Sequence, residues 1–246
     1  MARLIVGAVL MPSALFAVWA AVRTVAGLTA RSQATWPFLF GLAALACWWA
    51  FMRFVIEEAK GPLGWFASLS RRVYVLGHEA THALAAWSVG AKVHDIQVGD
   101  AGGHVDLSHS NAFIALAPYC FPIYTLLTVV VYRAVLYLRP AYAHRTVFLI
   151  AMGLTVAFHL IKTFETIFDR EQPDLPAAGG VVFSMSWILL ANSLAVTLLV
   201  KALFPSAVDL MDSARVVAAS TSAFWRGAYA LVEPLRHSFV AQLKRP

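Results

Sequence analysis

Five stretches of this chain stay apolar over the length that a membrane crossing needs: residues 4–22, 36–56, 112–138, 146–166 and 179–203. A bilayer core takes roughly 20 apolar residues of helix to cross, so each is expected as a transmembrane helix. A sixth stretch, 73–90, is weaker. Arg71 and Arg72 mark one end of it and Gly90, Ala91 and Lys92 the other, and polar groups stand where lipid-facing leucines would be expected. Polar side chains at that depth are costly and face a bundle interior or a wet cavity. Between this stretch and the next span lies "AKVHDIQVGDAGGHVDLSHSN". Val93, Ile96 and Val98, then a glycine-rich turn over 99–103, then His104, Val105, Asp106 and Leu107 predict a short β-hairpin. Two uses for it stay open: an edge to which an extended peptide adds as a strand, or an ordinary connection. The expected fold is an all-α polytopic membrane protein of about six transmembrane helices, with a short β-hairpin after the weaker one.

Composition agrees with that pattern. The chain is 60% hydrophobic and 13% charged, with a mean hydropathy of +0.71, where soluble domains carry about 25% charged residues. A net charge of +6 would suggest nucleic acid in a soluble protein, but here the cations cluster at the ends of apolar runs. Lipid is therefore the expected partner and no nucleic-acid role is assigned. Six spans place both termini on one side, with Arg3, Lys60, Arg71, Arg72, Arg139, Arg145 and the tail cations Arg215, Arg226, Arg236, Lys244 and Arg245. Arg23, Arg31, Lys92 and Arg170 fall on the other, so the positive-inside rule makes both termini cytoplasmic. The run 4–22 lacks a small-residue cleavage site and is kept as a helix rather than a signal peptide. With no transit segment, a bacterial plasma membrane is the expected location. Residues 1–205 form one expected membrane domain. Residues 206–246 mix bulky apolar groups such as Phe224 and Phe239 with cations, and predict an amphipathic tail on the inner leaflet, broken at Pro234. Cys47 and Cys120 lie inside apolar runs and suit packing rather than a disulfide or a thiolate site.

The chemistry sits in the weaker span. "YVLGHEATHALAAW", residues 74–87, holds H-E-x-x-H. Positions i and i+4 share one face of a helix, so His78 and His82 can offer two imidazole nitrogens to one metal while Glu79 reaches a metal-bound water. Zinc lowers the pKa of such a water to about 7, and a neighbouring carboxylate can take its proton and later deliver it to a leaving amine. Two imidazoles, a carboxylate and Thr81 are expensive in a membrane helix without such a use. The competing reading is a polar helix–helix contact without metal.

"GHEATHALAAWSVGAKV", followed by "GDAGGHV" and the apolar "IALAPY", resembles the site-2 protease family of intramembrane zinc metalloproteases. The similarity covers about residues 70–200 and leaves the first two spans and the tail outside. It implies a zinc metalloendopeptidase in which His78 and His82 are zinc ligands and Glu79 is the general base. His104, in the glycine-rich stretch, would be a substrate contact or a bystander.

A hydrolytic zinc site needs three protein ligands and an open position. The family usually supplies the third as an aspartate in an L-D-G sequence, which is absent here. Its nearest counterpart is Asp174 in "REQPDLPAAGGVVFS", with Asp169 and Glu171 nearby as solvated loop charges. One difficulty stands against Asp174. Two spans separate it from the motif, which would leave it at the outer face while His78 lies about 9 Å from the cytoplasmic end, at about 1.5 Å of rise per residue. Irregular backbone over 169–180 could dip into the bilayer along a wet cavity. Alternatively the third ligand is His159, on the span 146–166, where His159, Lys162 and Glu165 recur on one face. A structural use of that face is equally open: Lys162 can pair with Glu165, and His159 can bond a neighbour. Asn192, deep in the last span, would orient a ligand or hold helices together. The expected activity is cleavage of a membrane-tethered protein, its choice resting on the hairpin, on a regulatory membrane partner or on helix instability in the substrate. A non-catalytic scaffold of the same fold, or another zinc-dependent membrane hydrolase, is the alternative.

Overall fold

The structure, a computed structural model, describes residues 1–28, 33–54, 61–99, 102–169 and 172–243. Arg31, Lys60, Asp100, Ala101, Arg170, Glu171, Lys244 and Arg245 lie outside them, as do the side chains of Asp169, Arg236 and Phe239. In chain order the elements are α1 (Ala2–Ala26), α2 (Trp36–Phe54), α3 (Gly61–Ser88), β1 (Val93–Val98), β2 (Gly103–Leu107), α4 (Ala112–Cys120), α5 (Ile123–Leu138), α6 (Arg145–Asp169), α7 (Asp174–Ala178), α8 (Val181–Leu203) and α9 (Leu210–Leu243). Single 3₁₀ turns, Gln33–Thr35 and Pro140–Tyr142, precede α2 and α6.

Among the described residues four helices are long and apolar enough to cross a membrane: α1, α2 (with its preceding turn), α6 and α8. A fifth crossing is made if α4 and α5 count as one bent span. These helices are compatible with a multi-pass membrane protein. The motif helix α3 is long but too polar to join them, because its face is built for something other than lipid.

Small residues set the helix pairs, as expected where van der Waals contact rather than water exclusion drives association. At Gly7 of α1 an added Cβ would overlap the backbone of Phe183 in α8, and Ser186 Oγ donates to the Gly7 carbonyl at 2.8 Å. Arg3 Nη1 donates to the Ala178 carbonyl at 2.9 Å, so α1 and α8 run in the same direction from that end. Gly41 and Gly153 allow an equally close approach of α2 and α6. A core of Leu28, Phe38, Leu149, Met152, Val156, Val200 and Phe204 ties these helices together at the opposite end.

The run 112–138 is two helices rather than one, meeting at 65°. Pro122 explains the break. The residue before a proline is pushed out of the helical region, and Phe121 is extended, with φ −104° and ψ 115°. The hairpin forms as its alternation predicts, antiparallel with Ile96 opposite Val105, Gln97 opposite His104 and Val98 opposite Gly103. Segment 206–246 supplies α9, which packs along α1 in the opposite direction: Ser213 Oγ lies 3.5 Å from Thr24 Oγ1, and Thr221 Oγ1 donates to Ser13 Oγ at 3.3 Å. Pro234 does not end this helix, which continues to Leu243.

Candidate metal centre

Helix α3 carries His78, Glu79 and His82 on the face that looks into the bundle, where Glu79 and His82 are buried. The imidazoles stack edge to face with centroids 4.9 Å apart, as one turn of helix dictates. Gly77, just before them, leaves the space into which the ring of Tyr124 packs from α5.

Each histidine is oriented by its Nδ1. On His82 that atom lies 2.9 Å from the Ile114 carbonyl, an acceptor only, so Nδ1 carries the proton and Nε2 is left free to ligate. The carbonyl is available for a local reason. In a helix the Ile114 oxygen would accept the N–H four residues on, but that residue is Pro118, which has none. His78 Nδ1 faces the Tyr74 hydroxyl at 3.3 Å.

Both Nε2 atoms point at one carboxylate oxygen. Asp174 Oδ2 is 3.6 Å from His78 Nε2 and 3.5 Å from His82 Nε2. Tetrahedral zinc with ligand bonds of about 2.0–2.2 Å puts its ligand atoms roughly 3.3–3.6 Å apart, so this spacing suits a single small ion. Among the described residues this is the group of three or more His, Cys, Asp or Glu side chains that could hold a metal. The donor set, two imidazole nitrogens and a carboxylate oxygen, is one that catalytic zinc sites use.

Asp174 reaches the histidines for two reasons. Helix α3 begins at Gly61 rather than at 73, so His78 and His82 lie in its second half, near the end of α6 that leads to Asp174. The connection from α6 to α8 is also irregular: α7 spans only five residues, and Gly179 and Gly180, at φ +137° and +101°, turn the chain into α8. Burial works to raise the Asp174 carboxyl, but the imidazoles of His78 and His82 facing it, and a hydrogen bond from Tyr119, hold it well below the usual carboxylate range. It is thus ionised at neutral pH, as a metal-binding carboxylate must be.

The other expected residues divide clearly. His159 Nε2 pairs with Asn192 Oδ1 at 2.9 Å, and Lys162 Nζ donates to Glu165 at 2.8 Å. His159 is therefore not in the three-residue group. Asn192 also donates to the carbonyls of Tyr119 and Ile188, both at 2.8 Å, which joins α4 to α8. Thr81 donates to the Gly77 carbonyl at 2.7 Å, within its own helix. His104 lines the same cavity as the metal group, at the hairpin.

That cavity has a volume of about 800 Å³ and opens over His78, Glu79, His82 and Asp174. Arg53, Arg71 and the Lys162–Glu165 pair line it from the helices. Strand β2 covers Glu79 so closely that a Cβ on Gly103 would overlap its carboxyl group. Three residues here have roles in the site that reasoning from the sequence did not assign. Pro118 and Tyr119 stand side by side in "IALAPY", where only the proline marks a carbonyl without its helical donor. Gly103 belongs to the turn but faces Glu79. Comparison with family models, with curated proteins and with solved structures returns no match.

Proposed function

We propose that this protein is an intramembrane zinc metalloprotease that hydrolyses peptide bonds of membrane-tethered proteins within or near the bilayer. The observation that carries the reading is the meeting of His78, His82 and Asp174, two ligands from one helix and one from a distant connection, with Glu79 beside them in an open cavity. The resemblance of "GHEATHALAAWSVGAKV" to site-2 proteases supports it.

A zinc ion held by these three residues would act as a Lewis acid on a water and on the scissile carbonyl. The chain's own groups do the rest. The Ile114 carbonyl and the Tyr74 hydroxyl keep the imidazoles turned with Nε2 toward Asp174. Glu79, one residue from His78, takes a proton from the attacking water on its carboxylate and hands it to the leaving amine. β2 above Glu79 limits the water that reaches this carboxylate, and the cavity beside it admits the peptide. Substrate choice rests on the hairpin, on a regulatory membrane partner or on local unwinding of the substrate helix. The location is a bacterial plasma membrane with both termini in the cytoplasm; because α1 and α8 run the same way, it is α9, antiparallel along α1, that returns the chain to the side of the N-terminus.

The decisive experiment uses the purified protein in detergent with a membrane-tethered reporter. Glu79→Gln is expected to hold about one zinc per chain, as the wild type does, yet to cleave about 10²- to 10⁴-fold more slowly. A Glu79→Gln protein that cleaves at the wild-type rate refutes the mechanism.

A further inference from the structure

Helix α4 reaches two of the three candidate ligands at once. Its Ile114 carbonyl meets His82 Nδ1, and further along the same helix the Tyr119 hydroxyl lies 2.9 Å from Asp174 Oδ2, the oxygen that faces both histidines. His78 and His82 ride on a helix of 28 residues, whereas Asp174 opens a helix of five. So short a helix does not hold its own shape, and its position depends on what it docks against.

Tyr119 is built to be that dock. It is fully buried, packs with Leu175 and Ala178 of α7, and sets its ring edge-on to His78 with centroids 5.1 Å apart. Its backbone carbonyl accepts from Asn192 Nδ2 at 2.8 Å, and Asn192 Oδ1 in turn meets His159 Nε2 at 2.9 Å. The phenol has one proton and two acceptors, Gln172 Oε1 and Asp174 Oδ2, each at 2.9 Å. Both acceptors belong to the same stretch entering α7, so either choice draws that stretch toward α4.

We infer that Tyr119 is the positioning residue of the third metal ligand: its hydroxyl holds the Asp174 carboxylate in line with His78 and His82. This rests on the metal-site reading above. The His159–Asn192 pair, polar but remote from the ligands, braces α4 at the Tyr119 backbone carbonyl.

The test is zinc affinity, measured on the full chain in detergent by competition of zinc alone against a chelator of known strength. Tyr119→Phe keeps the ring and its contact with His78, and is expected to weaken zinc binding about 10- to 100-fold, as loss of a partner bonded to a ligand does. In an Asp174→Asn background the same substitution should add almost nothing, since the two side chains act as a pair. Tyr124→Phe, whose hydroxyl donates to the Val73 carbonyl, is the control and should leave zinc affinity unchanged. Equal zinc affinity in Tyr119→Phe and wild type overturns the inference alone, as does an equal loss with and without the Asp174 carboxylate. A wild-type protein that takes up no zinc overturns the metal reading and this inference together.

Discussion

Two helices of this bundle carry histidine and acid on an inward face, and they put them to opposite uses. On α6, His159 meets Asn192 and Lys162 meets Glu165, so these polar groups find partners within the bundle. On α3, each histidine has one nitrogen engaged and the other turned toward a carboxylate oxygen more than 3.4 Å away. That distance is long for a hydrogen bond and right for a shared ion. Polar residues at helical spacing in an apolar chain therefore do not by themselves mark a site. What marks it is donor atoms that converge without closing on one another.

The largest test of this contrast removes a converging group. His78→Ala or His82→Ala should drop zinc from about one per chain to near none and abolish cleavage, because two remaining ligands hold a catalytic ion poorly; full zinc occupancy in both variants would refute the assignment. Next comes the pair that separates the two faces. Asp174→Asn should bind zinc far more weakly, while His159→Ala should keep the wild-type affinity and instead lower stability by about 1–3 kcal/mol, through the Asn192 oxygen left buried without its partner. Zinc loss confined to His159→Ala would reverse the roles given to the two faces. The smallest effect expected is at Gly103→Ala, where the new methyl group must push Glu79 or β2 aside. Cleavage should fall about tenfold or more with zinc content unchanged, since a displacement near 1 Å costs that much or more in reactions that depend on positioning. A Gly103→Ala enzyme of wild-type activity would show that β2 gives way freely.

Much of this was legible along the chain. The spacing of His78 and His82 is a property of any helix, so their shared face followed from two sequence positions. The hairpin followed from alternation around a glycine-rich turn. The start of α3 was not legible, because residues 61–72 mix Trp65, Phe66 and Leu69 with Arg71 and Arg72 and look like an interface rather than a helix interior. That one uncertainty moved His78 from near one end of a span to the second half of a longer helix, and so made Asp174 look out of reach. The division of 112–138 was written at Pro122, but hydropathy averaged over a span passes across a single proline.

Which residue types were present to bind a metal, and that two of them lay on one helix face, needed no coordinates, because i to i+4 geometry is local. Which carboxylate joins them, and which phenol holds that carboxylate, are contacts between residues more than fifty positions apart: Tyr119 and Asp174 meet at |i−j| = 55. Such contacts depend on how α4, α7 and α8 pack, and packing is a sum over many small dispersion terms that no short window of sequence contains.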